Sequence, residues 1–310
     1  MRKITAAILL CVIAFCGVFC LQACGANDTC DVVCTIFPQY DLIKRIVGDE
    51  MSVKMLLPNG TDAHNYELTL GDKQAIKNAK LFVCIGGESE RWVQDVKKST
   101  DLSKVSLYTW MAKTELIKLD GTHDHEEEHE EGEYDDFDEH VYLSVKNCIR
   151  FVADVQDELN KIVPEKKEIF EANAKKLLEN LINLDEKYEA LAEKAEEKTF
   201  YFADRFPFAY LFADYGWQCV TPYKGCSADL EISIADKVNF STAYKNSTAK
   251  GVFTIENANK DLANSVLRER SGKIFELNSC QTVSKNEMEK DTSYVDVMQK
   301  NLDVIKEALE

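Results

Sequence analysis

The side chains best suited to chemistry in this 310-residue chain are five histidines: His64, His123, His125, His129 and His140. All lie in the N-terminal half. His64 stands in Leu57-Pro-Asn-Gly-Thr-Asp-Ala-His64-Asn-Tyr-Glu67, just past a strand-like run. His140 opens His140-Val-Tyr-Leu-Ser144 behind the carboxylates Asp138 and Glu139. Imidazole nitrogen suits Zn²⁺ and other borderline metals. A lone loop histidine is ordinarily just solvated. The pair gains meaning from the stretch between them. Residues 120–139 are an acidic, low-complexity loop carrying His123, His125 and His129. Such side chains bind Zn²⁺ weakly and exchange it fast, so the loop could raise the metal concentration near His140; the plainer alternative is a solvated acidic linker. The nitrogen content favours zinc over manganese, which prefers oxygen.

Those residues need a frame. Strand-like runs fall at 32–37, 53–57, 81–85 and 105–108, with helical spacing at 40–47, 70–79 and 90–98 between them. A helix over 145–162, with Ser144 as its cap, closes this half. The alternation resumes at 199–203 and runs through strands at 218–221, 251–255 and 273–277. Helices at 206–215, 230–244, 260–270 and 291–309 complete it. Alternating strand and helix predicts parallel sheets covered on both faces. Ligands in such sheets bind beyond the carboxyl ends of the strands.

Between the halves, residues 165–196 carry one apolar stripe: Phe170, Ala174, Leu177, Leu181, Leu184, Tyr188 and Leu191. The gaps alternate four and three, and no Gly or Pro interrupts them. The reading is a rigid strut between two lobes; a coiled-coil stalk or an ordinary surface helix would carry the same stripe. The predicted fold is α/β, with two lobes each built on a parallel four-stranded sheet with flanking helices, joined by one long rigid helix. The expected divisions are 1–23 signal peptide, 24–31 tether, 32–163 first lobe, 164–197 linking helix and 198–310 second lobe.

The start of the chain bounds its location. Arg2 and Lys3 precede an almost wholly apolar run that stops at Leu21-Gln22-Ala23-Cys24. That pattern reads as a secretory signal with a bacterial lipobox, leaving Cys24 as a lipidated first residue on the membrane surface of the cell envelope. A plain signal peptide or a single anchor helix is the alternative. The net charge is −17, and about −19 once the two cations of residues 1–23 are removed. A chain this acidic is a poor fit for nucleic acid. No Gly-x-Ser-x-Gly motif and no phosphate-cradling glycine loop occurs. The expectation is a binding protein, not an enzyme, acting as a monomer.

Here the motifs acquire a resemblance. The opening Cys34-Thr-Ile-Phe-Pro-Gln-Tyr-Asp-Leu with Val47-Gly-Asp49 resembles the metal-ion solute-binding lipoproteins of zinc- and manganese-uptake ABC transporters, zinc type. The His64 and His140 segments resemble that family's first two ligand motifs. Asp204-Arg-Phe-Pro-Phe-Ala-Tyr210 with Asp214-Tyr-Gly216 is similar to its third, and the tail from Tyr294 to Asn301 also fits. The resemblance implies two α/β lobes around one helix, a metal between them, and delivery to a membrane permease. It implies Zn²⁺ first, with Mn²⁺ or Fe²⁺ as lesser alternatives. Arg205 stands where the family's third ligand often is His, and an arginine cannot ligate. Asp204 and Glu256 are therefore the expected second-lobe ligands, with Glu231 a weaker one; Asp204 paired with Arg205 in an internal salt bridge is the alternative. Around the family's fourth position this chain reads Leu277-Asn278-Ser279-Cys280-Gln281. Cys226 and Cys280 could join as a disulfide pinning two second-lobe loops, or stay reduced as soft ligands. A surface-adhesion lipoprotein that keeps the fold but has lost the metal is the rival function.

Overall fold

The structure, a computed structural model, describes residues 30–119, 134, 136–223 and 232–310. The signal stretch with Cys24, the loop histidines His123, His125 and His129, and Cys226 and Glu231 lie outside them.

The first lobe begins with β1 (Val32–Cys34), α1 (Phe37–Val47) and β2 (Val53–Met55). Next come α2 (Leu70–Asn78), β3 (Leu81–Cys84), α3 (Trp92–Ser99) and β4 (Ser106–Thr109). The four strands are parallel in the order β2-β1-β3-β4. All residues of β1 and β3 are buried, as central strands covered on both faces require. The helix α4 (Val145–Ile162) starts where Ser144 Oγ accepts from Asn147 N at 2.9 Å.

A short turn at Pro164–Lys166 leads into the 28-residue α5 (Lys167–Lys194). Phe170, Ala174, Leu177, Leu181, Leu184 and Tyr188 are all buried on it. The stripe is therefore core, not the seam of a separate stalk. It packs into one apolar cluster that takes in residues of both lobes. Polar contacts fix it at either end. Asn173 Nδ2 donates to Ile46 O of the first lobe at 3.0 Å, and Tyr188 Oη donates to Met298 O of the second at 2.8 Å.

The second lobe holds β5 (Thr199–Tyr201), α6 (Ala209–Tyr215), β6 (Gln218–Val220) and α7 (Ile234–Lys245). After these come β7 (Gly251–Ile255), α8 (Asp261–Glu269), β8 (Lys273–Leu277), α9 (Lys285–Glu289) and α10 (Tyr294–Leu309). Its sheet differs in detail from the expected continuous one. Two parallel pairs form, β5 with β6 and β7 with β8. A single parallel bridge, Phe202 to Phe253, joins them, with Ala203 N donating to Phe253 O at 2.9 Å. The strands β5 and β6 are only three residues long, so pairing has little length over which to run. Among the described residues, no helix is long and apolar enough to cross a membrane.

Candidate metal centre

The loops after β2 and β8 meet, with Gly60 N donating to Thr282 Oγ1 at 2.8 Å. His64 lies in a short 3₁₀ turn after β2, Ala63–Asn65, whose cap is Asp62; Asp62 Oδ1 accepts from His64 N at 3.1 Å. His140 opens a second 3₁₀ turn, Val141–Leu143. Asp138 Oδ1 holds it twice, accepting from the backbone N at 2.8 Å and lying 3.0 Å from ring Nδ1. A carboxylate on one ring nitrogen sets the other nitrogen's direction, as in metal sites generally. Burial pushes the His140 pKa down, but Asp138, with Glu139 and Asp62 beyond it, outweighs burial and the net shift is upward.

Glu139 is the third member. One carboxylate oxygen, Oε2, accepts from Ser89 N at 2.9 Å. The other, Oε1, lies 3.6 Å from His64 Nδ1. Gly87 makes this possible, because a Cβ there would fall 2.3 Å from the Glu139 carboxylate. His64, Glu139 and His140 each bring one donor atom within 4.8 Å of the others, and the two imidazole rings are 6.0 Å apart. Zn²⁺ bonds of about 2.0–2.1 Å place tetrahedral donors closer than that, so small side-chain shifts complete the approach. Among the described residues, neither His64 Nε2 nor His140 Nε2, both buried, has a hydrogen-bond partner. Two orphaned imidazole nitrogens beside a carboxylate are costly unless something fills the gap, and a divalent metal fits.

The expected second-lobe ligands are placed differently. Asp204 Oδ1 accepts from Arg205 N at 2.8 Å and Oδ2 from Ile255 N at 3.1 Å, so both oxygens serve backbone at the ends of β5 and β7. Glu256 binds Ser279, accepting from its N at 2.7 Å and from its hydroxyl, and thereby ties the ends of β7 and β8. Glu256 lines a cavity together with His140, but neither carboxylate joins the three-residue cluster. Burial raises the pKa of both acids, against the pull of those N–H donors. The alternative salt bridge within the Asp204-Arg205 pair is also displaced: the Arg205 guanidinium reaches Asp62 across the cleft, Nη1 to Oδ2, at 3.3 Å.

The Cys226–Cys280 disulfide is corrected as well. Cys280 is a free thiol with no exposed surface, seated 3.5 Å from Met298 Sδ inside the core, and so is not a cleft ligand either. Sequence reasoning passed over Glu139, which it placed within the acidic loop. Its adjacency to His140 was the available clue.

A family model described as zinc-uptake complex component A, periplasmic, matches residues 32–308. The chain belongs to that family. It is 32% identical to the zinc-binding lipoprotein AdcA of Streptococcus pneumoniae, over 99% of this chain and 61% of that protein. The chain thus spans about three-fifths of the length of that relative. It is also 32% identical to the high-affinity zinc uptake system protein ZnuA of Bacillus subtilis, over 93% of this chain and 90% of that one. Among solved structures, the Zn(II)-bound ZnuA-like domain of Streptococcus pneumoniae AdcA superposes with a TM-score of 0.74 at 29% identity, covering 91% of this chain and 99% of that domain. Family membership agrees with the two-lobed α/β architecture and its long helix.

Proposed function

We propose that this chain captures Zn²⁺ outside the cytoplasm and delivers it to an ABC permease. The observation that carries the reading is the convergence of His64, Glu139 and His140 with two buried, unpartnered imidazole nitrogens. The names of the relatives support zinc as the cargo. Two nitrogens and one oxygen also suit zinc better than manganese. The protein binds and releases without turnover, as a monomer tethered at Cys24 by lipid to the cell-envelope membrane. The division into 32–163, 164–197 and 198–310 describes two lobes that grip the metal from the first side and close from the second. The linking helix is buried against both, so lobe motion is small.

Zinc titration of the full chain tests this. His64→Ala and His140→Ala each lose tight one-to-one binding, at least about 100-fold. Deleting 121–136 slows loading and leaves the equilibrium affinity in place. Unchanged tight binding in both histidine variants sinks the assignment. An adhesion protein without a metal site would show no stoichiometric zinc once the loop is deleted.

A further inference from the structure

The three residues of the cluster belong to the first lobe, yet the stretch that carries two of them is held from the second. From Asp138 the chain runs through Glu139 and His140 to Ser144, the cap of α4. One helix, α6, grips both ends of that stretch. Tyr210 Oη donates to Asp138 O at 2.8 Å and accepts from Ile117 N at 3.1 Å. Asp138 N donates in turn to Ile117 O at 2.9 Å, so the hydroxyl closes a junction between the two segments that flank the acidic loop in sequence. At the other end, Ser144 Oγ donates to Asp214 Oδ2 at 2.5 Å. Tyr210 and Asp214 are four residues apart and so share one face of the helix. The helix α6 is itself mounted on α5. The Tyr215 ring stacks on Tyr188 with centroids 5.0 Å apart, and its hydroxyl donates to Asp185 Oδ1 at 2.7 Å.

Resting on the zinc reading above, we propose that Tyr210 and Asp214 are positioning residues of the metal site: they fix the two ends of the stretch that carries His140, and so the direction of its Nε2. The route from Tyr210 is short. Asp138 Oδ1 lies 3.0 Å from His140 Nδ1 and accepts from His140 N, so a swing of Asp138 carries both the ring and the backbone of His140 with it. Tyr210 and Asp138 are both buried, which leaves little room for such a swing. Burial also raises the Tyr210 pKa, against the pull of Ile117 N, and keeps the hydroxyl protonated as a donor. A ligand held in its bonding direction before the metal arrives loses less freedom on binding. Through α6 the second lobe thus contributes orientation to the cluster.

The test uses the full chain and compares two variants, Tyr210→Phe and Tyr188→Phe. Each removes one buried hydroxyl that donates to a backbone carbonyl, but Tyr188 serves Met298, away from the stretch that holds His140. Zinc affinity is read by chelator competition, the coordination sphere from the visible bands of the Co²⁺-loaded protein, and stability from urea unfolding of the metal-free chain. Tyr210→Phe is expected to keep one-to-one zinc, to weaken it about tenfold, at the low end of what losing a group behind a ligand costs, and to shift the Co²⁺ bands. Tyr188→Phe lowers the urea midpoint with affinity and bands unchanged. Asp214→Ala weakens zinc as Tyr210→Phe does, and Asp214→Asn, which keeps an oxygen for Ser144, restores it. If Tyr210→Phe fails to fold, the Asp214 pair carries the decision. Unchanged affinity and bands in Tyr210→Phe or in Asp214→Ala overturn the proposal. An equal loss in Tyr188→Phe also overturns it, because general loosening is then the cause, and so does an Asp214→Asn as weak as Asp214→Ala. A wild-type chain that takes no zinc removes the zinc reading and this inference with it; wild-type binding with indifferent variants removes this inference alone.

Discussion

Glu139 shows how a single carboxylate is aimed. Ser89 N takes one oxygen and the absent side chain of Gly87 gives it room, so the second oxygen turns toward His64. Its neighbour Asp138 faces the other way and orients His140. Two adjacent acids thus divide the work, one turned toward His64 and one behind the His140 ring. Glu139→Gln keeps the shape and removes the charge. We expect zinc affinity to fall about 10- to 100-fold with one-to-one stoichiometry retained, measured by chelator competition. An unaltered affinity would mean that Glu139 lies beside the metal without binding it. From the residues alone, His64 and His140 were legible as candidates because histidine is scarce, His64 follows a strand-like run and His140 closes the acidic loop. Asp204 and Glu256 stay outside the cluster for a reason no local pattern carries: N–H groups of Ile255 and Ser279, distant in the chain, already engage their oxygens.

At the scale of elements, α5 behaves as its stripe predicts until its last turn. Leu191 is only partly buried there and Ala192 takes the core-facing place. Both lie one turn beyond Tyr188, and 3.6 residues per turn lets either spacing serve. Leu181, with no exposed surface, sits mid-helix between the lobes. Leu181→Ala should cost about 2–5 kcal/mol in urea unfolding, because the surrounding helices cannot collapse fully onto the gap. A cost near zero would mean that the helix is not a shared core element. The helix α7 runs the other way. Its start was expected at 230, but the described helix begins at Ile234 after the Ser233 cap, whose hydroxyl accepts from Asp236 N at 3.1 Å. Ile234 is 82% exposed and Val238 57%. Apolar residues at helical spacing therefore do not by themselves say which face is buried.

The whole molecule is also held by contacts that cross directly between the lobes without passing through α5. Gly60 N donates to Thr282 Oγ1 at 2.8 Å and Phe37 N to Gln281 O at 3.1 Å, beside the cavity that His140 lines. At the first turn of α10, buried Asp41 accepts from Tyr294 N at 2.9 Å, and Arg45 spans Asp41 and Asp291. Burial, opposed by Arg45 and Tyr294, pushes the Asp41 pKa from 3.8 up to about 6. The folded state therefore holds more protons at this site than the unfolded chain between those values. By linkage, this group's contribution to stability is greatest below pH 3.8 and is lost as pH rises through about 6. Asp41→Asn should remove that component. The difference in unfolding free energy between wild type and variant then changes across pH 4–6, by at most about 1.4 kcal/mol per pH unit, and is flat above it. A constant difference across the window would show that Asp41 titrates normally.

The sequence by itself determined the alternation of strands and helices, the two lobes, the linking helix and the two histidines of the cleft. These are written in local periodicity and in residue types that have few other uses. Tertiary structure decided which carboxylate completes the cluster, where Arg205 points and what surrounds Cys280. Each of those depends on a partner outside its own stretch of chain: Ser89 for Glu139, Asp62 for Arg205, Met298 for Cys280. A side chain's chemistry is set by what its polar atoms meet. For these residues that meeting happens only when separate strands and lobes come together.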